Sequence, residues 1–319
     1  MKKTISVFIL ILVLHCLTAC SLLIYDTPDV SVNDPTEPKT ESQYKPQKPT
    51  TKPTLSASKE NNNESSTETN LPIFAEKIIY NQNDIVVTVT GIEYDGLLGP
   101  QIGVLIENNS TQNITILTRN SSVNGYMIDF HMSSHVLAGK KAYSGIVILN
   151  DNLQFANIDK IADIEFSLHI IESTSFDTIA DSDQISLSTN VASSYIQTCD
   201  DSGVALYDEN GIRIIAKGLS LDSNFFGPEL ILYIENNSDK CITIQSRDSS
   251  INGFMIDAIM SDELLPGKRI IGGMTFSSSR LEESKISDIE TIETVFHIFD
   301  TNTWDTILDT NPITITVGK

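Results

Sequence analysis

Two nine-residue stretches decide the fold. Ser121-Ser-Val-Asn-Gly-Tyr-Met-Ile-Asp129 returns 128 residues later as Ser249-Ser-Ile-Asn-Gly-Phe-Met-Ile-Asp257, identical at seven of nine positions. Asn124-Gly125 and Asn252-Gly253 suit a type I′ hairpin turn, whose two central residues both need φ > 0. Working outward, Gly99–Thr189 aligns with Gly227–Val317 at the same offset without a gap, with 36 identities in 91 positions. Upstream the offset is 127, so one extra residue sits within Ser223–Phe226. A register held over that span is an internal repeat. It predicts two domains, residues 73–190 and 200–319, joined by a short linker.

The repeated unit reads as β. Ile164, Phe166, Leu168 and Ile170 alternate with Glu165, Ser167 and His169, the period of a half-buried strand. Ile292, Thr294, Phe296 and Ile298 keep that phase. Ile102, Val104 and Ile106 end at Asn108-Asn109-Ser110, and Leu230, Leu232 and Ile234 end at Asn236-Asn237-Ser238. Leu265-Pro266-Gly267-Lys268 suits a type II turn, with Leu137-Ala138-Gly139-Lys140 its twin. Short helices are expected around Asn152–Ile158 and Leu281–Ile286. About seven to nine short strands per unit predict an antiparallel β-sandwich.

The first twenty residues read as an address. Lys2 and Lys3 precede a largely apolar run, Ile5–Leu14, and then Leu17-Thr18-Ala19-Cys20. The run is too short to span a bilayer and has the layout of a secretory signal. Its end resembles a bacterial lipobox, which implies cleavage after residue 19, lipidation of Cys20 and anchoring to the outer face of the cell membrane. Residues 20–72 hold seven of the 11 Pro, among Thr, Ser, Asn, Glu and Lys. Such a composition cannot bury enough apolar surface to offset its ordering entropy, and predicts a disordered tether reaching at most ~150 Å.

The run Ile-Glu-Asn-Asn-Ser, then Ile-Thr-Ile, then Asn-Gly-aromatic-Met-Ile-Asp, then Pro-Gly-Lys, resembles the Ig-like (telokin-like) modules of lipoproteins from Gram-positive bacteria. That resemblance implies an all-β fold of two tandem Ig-like antiparallel β-sandwiches on a lipid anchor. It implies no catalytic set. Repeat 1 has no Cys and Trp304 is the sole Trp, so an immunoglobulin Cys–Trp–Cys core is not implied.

The chemistry-bearing residues point away from catalysis. No nucleophile elbow, zincin helix, phosphate loop or dinucleotide fingerprint is present. His169 and His297 are expected on the outward face of a strand. His131 and His135 have metal-like spacing, yet four residues along a strand puts them ~13 Å apart, too far for one ion. Glu172/Asp177 with Asp300/Asp305, and Asp181/Asp183 with Asp309/Asn311, mark equivalent acidic loops. They read as Asx-type turns or as a weak calcium site, and no other cofactor or metal is expected. The shared hairpins supply the candidate binding residues Arg119, Tyr126, Asp129, Arg247, Phe254 and Asp257. The alternative is structural: Tyr126 and Phe254 face the core and each Arg pairs with the Asp across its hairpin. Cys199 and Cys241 occur in repeat 2 alone; in an exported chain they are a disulfide or two buried thiols.

Lys and Arg number 21 against 42 Asp and Glu, a net charge of −21. That excludes a nucleic-acid partner, which needs a basic face. The expected partners are the membrane, through Cys20, and an extracellular or envelope protein or polymer. Three roles remain: a non-catalytic binding module, a structural spacer or assembly protein without a soluble ligand, and, remotely, an enzyme.

Overall fold

The computed structural model describes residues 71–224 and 226–317. The expected signal peptide, Cys20 and the tether through residue 70 lie outside the described residues, as does Phe225 in the loop expected to hold the extra residue. In repeat 1 the strands are β1 (Lys77–Gln82), β2 (Ile85–Glu93), β3 (Gln101–Asn108), β4 (Ile114–Val123), β5 (Tyr126–Met127), β6 (Phe130–His131), β7 (Ser133–Val136), β8 (Lys140–Ile148), β9 (Asp163–Glu172), β10 (Thr178–Asp181) and β11 (Ile185–Ser188), with α1 (Asn150–Phe155) between β8 and β9. In repeat 2 they are β12 (Val204–Glu209), β13 (Ile212–Asn224), β14 (Gly227–Asn236), β15 (Ile242–Ile251), β16 (Phe254–Met255), β17 (Ala258–Ile259), β18 (Ser261–Leu264), β19 (Lys268–Phe276), β20 (Thr291–Asp300), β21 (Thr306–Asp309) and β22 (Ile313–Thr316), with α2 (Ser278–Glu283) before β20. Both helices begin two or three residues before the expected spans.

The chain is all-β, and each repeat is an antiparallel sandwich. In repeat 1, one sheet runs β1-β2-β3-β8-β6, and the other sets β9 between β10 and β4, with β5, β7 and β11 on its edges. Repeat 2 repeats this as β12-β13-β14-β19-β17 against β16-β15-β20-β21. Alternation closes each core. Val87, Val104, Ile106 and Ile146 of one sheet meet Ile116, Ile164, Phe166 and Leu168 of the other. Ile214, Leu232, Ile234 and Met274 meet Ile244, Ile292, Phe296 and Ile298 in repeat 2.

The turns follow the expected chemistry. Asn124 and Gly125 have φ of 51° and 83°, and Asn252 and Gly253 have 50° and 81°, as type I′ requires. Gly139 and Gly267 sit at φ 67° and 71°, with Lys140 N–H donating to Leu137 O and Lys268 N–H to Leu265 O. The Asn-Asn-Ser runs are staples. Asn108 and Asn236 are fully buried. The Asn108 amide donates to Gln112 O and Val136 O at 2.8 and 3.0 Å and accepts from Ser110. Asn236 does the same with Lys240 O, Leu264 O and Ser238.

Pro72, assigned to the tether by composition, is held by the fold: it is buried and its carbonyl accepts from Tyr94 Oη at 2.7 Å. Ile73 N–H donates to Asn190 Oδ1. Leaving the partners of a buried amide unsatisfied costs ~1–3 kcal/mol for each group, so Asn236→Ala is expected to lose ~2–4 kcal/mol in urea unfolding. Exposed Asn237→Ala is expected to lose under ~1 kcal/mol.

Candidate functional site

A bulge aims each repeated hairpin. The β4–β9 register shifts between Arg119 and Ser122, and the β15–β20 register between Arg247 and Ser250. Asn120 and Asp248 take the extra positions at φ 53° and 49°, and such a bulge bends its strand. Beyond it, Ser121 Oγ donates to Ile128 O at 2.7 Å and accepts from Phe130 N–H, closing the hairpin. Asn124 Oδ1 accepts from the N–H groups of Ala162 and Asp163. Asn252 does the same for Glu290 and Thr291. Much of the motif therefore shapes the turn.

The two hairpins meet different surroundings. That of repeat 1 lies on the outer face of repeat 2. Tyr126 is parallel to Arg269 at the edge of β19, and Arg269 N–H donates to Gly125 O at 3.1 Å. The Arg269 guanidinium lies 5.2 Å from the Tyr126 ring centre, a cation–π contact, and also donates to Cys199 Sγ. Tyr126 is 2% exposed and shares a cluster with Tyr233, Ile215 and Ile271 of repeat 2. Burial pushes the phenols of Tyr126 and Tyr233 above their ordinary range. Lys268 Nζ reaches Glu165 at 2.5 Å, and Gln197 of the linker accepts from Asn124 at 3.0 Å. In repeat 2, by contrast, Phe254 and Met255 are 52% and 69% exposed, and Ile259 64%. Met255 and Ile259 share a hollow of about 360 Å³ with Arg280 and Glu283 of α2.

The structure does not gather the candidate binding residues. Tyr126 is buried in the junction, while Asp129, Arg247 and Asp257 are exposed. The expected pairing of each Arg with the Asp across its hairpin is not found: past the bulge, Arg119 points over β9 and lies 3.8 Å from Asp181. Phe254 does not face the core, because no second domain covers it. His169 and His297 are buried rather than solvent-facing, and the carboxylates of Asp181 and Asp309 on the neighbouring strands accept from their Nδ1–H at 2.6 Å. Cys199 and Cys241 are both free, not bridged: Cys199 lies under Arg269 in the junction, and Cys241 Sγ donates to Glu263 at 3.4 Å. Burial pushes the Cys241 thiol up to about 11.

The acidic loops bind their own backbone. Glu172 Oε2 accepts from the N–H groups of Thr174 and Ser175, and Asp300 Oδ1 from those of Asn302 and Thr303. These bonds hold both carboxyls below their ordinary range. Among the described residues no three His, Cys, Asp or Glu side chains converge as a metal site would need. His131 and His135 fall on β6 and β7, in different sheets. Sequence reasoning passed over Phe176 and Trp304, exposed aromatics at φ 62° and 65° on these loops. Their identical place in both repeats was the available signal.

A cleft of about 470 Å³ runs along the junction, lined by Met127, Asp129 and Phe155 of repeat 1 and Asp262, Ile270 and Gly272 of repeat 2. A Cβ on Gly272 would stand 2.7 Å from Asp262 Oδ2, so glycine makes room for that carboxyl. Asp262 Oδ2 is shielded without a hydrogen-bond partner. Burial raises its pKa from 3.8 to about 6, with Asp129 and Glu229 adding to the rise. A folded pKa above the unfolded one gives stability that is present below pH ~4 and lost as pH rises through ~6. Asp262→Asn is expected to remove that slope and to exceed the wild type at pH 7 by on the order of 2 kcal/mol, read from urea midpoints between pH 4 and 7.

No family model matches the chain, and no curated protein matches its sequence. Among solved structures, the YadV chaperone aligns at a TM-score of 0.23 and 10% identity, over 71% of this chain and 98% of that one. The CsuC–CsuE chaperone–tip adhesion subunit pre-assembly complex, from archaic chaperone-usher Csu pili of Acinetobacter baumannii, aligns at 0.19 and 14% identity, over 69% and 92%. At TM-scores this low neither likeness carries an argument about the role of this chain.

Proposed function

We propose that the chain is a lipid-anchored surface protein that binds a protein partner through the hairpin of its second repeat. One observation carries the reading: of two near-identical hairpins, the first is buried against a β-sheet edge and the second presents Phe254, Met255 and Ile259 to solvent. Exposed aromatic and Met side chains on a rigid turn are the composition of interface anchors. The signal-like residues Lys2 to Cys20 support export and anchoring at Cys20, to the outer face of the membrane of a Gram-positive-type cell. The Pro-rich segment then serves as the tether. No helix among the described residues is long and apolar enough to cross a membrane. The role is non-catalytic. A rigid-spacer role is favoured by the junction, which stitches the sandwiches together through Tyr126, Arg269 and the Lys268–Glu165 pair.

Surface material from the source cells, passed over the immobilised chain and over Phe254→Asp/Met255→Asp, separates the two. A species held by the wild type and lost at least tenfold from the variant supports the binding reading. Nothing held by either favours the spacer. Cys20→Ala is expected to move the chain from the membrane fraction to the medium.

A further inference from the structure

The internal junction uses surfaces that each repeat owns. Repeat 1 supplies a hairpin and repeat 2 a receiving edge, so the hairpin of repeat 2 and the edge of repeat 1 are left over. Their residues correspond by the 128-residue offset. Phe254 stands for Tyr126, and Glu293 for Glu165. On the edge, Lys140 stands for Lys268, Lys141 for Arg269, Leu105 for Tyr233 and Tyr143 for Ile271. The aromatic, the acid, both cations and two of the three apolar wall positions are therefore kept, while Thr88 stands for Ile215 at the upstream offset of 127. Both surfaces are open: Phe254 is 52% and Tyr143 81% exposed, and Lys140, Lys141 and Glu293 are exposed as well. On its outer side β8 pairs, among the described residues, only with β6, at Val147 and Ile148. Its Lys140–Tyr143 end has no strand partner on that side among the described residues, and it corresponds to the stretch of β19 that takes β5. An open edge beside an exposed aromatic is a template for another chain.

We infer that the occupant of the repeat 2 hairpin is a second copy of this chain, received at the β8 edge of repeat 1 as the internal hairpin is received at β19. This rests on the reading of that hairpin as a docking element. The contact joins unlike surfaces, so each added copy leaves one hairpin and one edge open, and chains add head to tail. The Lys140–Glu293 pair repeats the Lys268–Glu165 bridge, and Phe254 lies under Lys141 against Tyr143 and Leu105. The internal contact is favoured by its linker, through Gln197 and Cys199; between chains that help is absent and the entropy of association must be met by the contact alone. Association in solution is therefore weak, and is strengthened by concentration on a surface.

The test is sedimentation velocity of the chain from Ser21 to Lys319 under reducing conditions, since every described contact lies within residues 71–317. The weight-average mass is expected to rise above the monomer between ~10 µM and ~1 mM. Phe254→Asp alone and Tyr143→Asp alone are expected to stay monomeric. Mixed in equal amounts they are expected to form two-chain particles and nothing larger, because each keeps the surface the other has lost. Lys140→Glu or Glu293→Lys is expected to weaken association at least tenfold and the double exchange to restore it. Both changed residues are exposed, so thermal midpoints within about 2 °C of wild type confirm that the variants fold. A wild type that stays monomeric, association unchanged in the variants, or a mixture that stays monomeric would overturn the inference. A foreign species captured by a monomeric wild type and lost with Phe254→Asp would overturn the identity of the partner while leaving the hairpin a docking element.

Discussion

Burial of Tyr126 between the two sandwiches is the contact on which the joined structure depends. It needs three things at once. The Asn-Gly turn must put Tyr126 just past a reversal, the bulge at Asn120 must swing the hairpin off its sheet, and repeat 2 must offer an apolar outer face with a cation at its edge. Ile215, Tyr233 and Ile271 supply that face and Arg269 the cation. Exposed strand faces are ordinarily polar in antiparallel sheets, so three large apolar residues there are placed for a neighbour.

The same logic explains why duplicated residues have diverged in role. Thr88, Leu105 and Tyr143 hold the corresponding places in repeat 1, where no repeat covers them from within the chain. β3 keeps strict alternation of buried and half-exposed positions, while in β14 the run Leu232-Tyr233-Ile234 is buried throughout. A sandwich repeated in tandem changes its outer face first where the copies touch, because the core and turns remain under the same packing constraints.

The residues shared by both copies divide cleanly by physical cause. Asn108/Asn236, Ser121 and Asn124/Asn252 serve the backbone through buried or turn-closing hydrogen bonds, whereas Ser249 Oγ meets Thr294 Oγ1 at 3.0 Å. His169/His297 pair with Asp181/Asp309 across neighbouring strands. The exposed apolar groups include Phe254, Met255 and Ile259 on one hairpin, Tyr143 on one edge, and the loop aromatics Phe176 and Trp304, the last stacked on Phe299. Surface groups without a structural task are the ones a partner can use.

By itself the sequence determined the class of the fold, because period-two alternation, Asn-Gly turns and a gapless 128-residue repeat are local properties that any packing must respect. It marked the Asn-Asn-Ser runs as strand ends, but not as staples, since Asn108 and Asn236 also donate to Val136 O and Leu264 O, 28 residues away on another strand. Which side of a strand is covered was not local. Burial of His169 depends on Asp181, twelve residues away on the neighbouring strand. The fate of Tyr126 against Phe254 depends on whether another sheet edge is within reach, and Arg119 finds Asp181 rather than Asp129 because a bulge turns it. Identical hairpins can therefore be core in one repeat and surface in the other, and only the tertiary structure decides that, because burial belongs to the pair of surfaces and not to either stretch of chain.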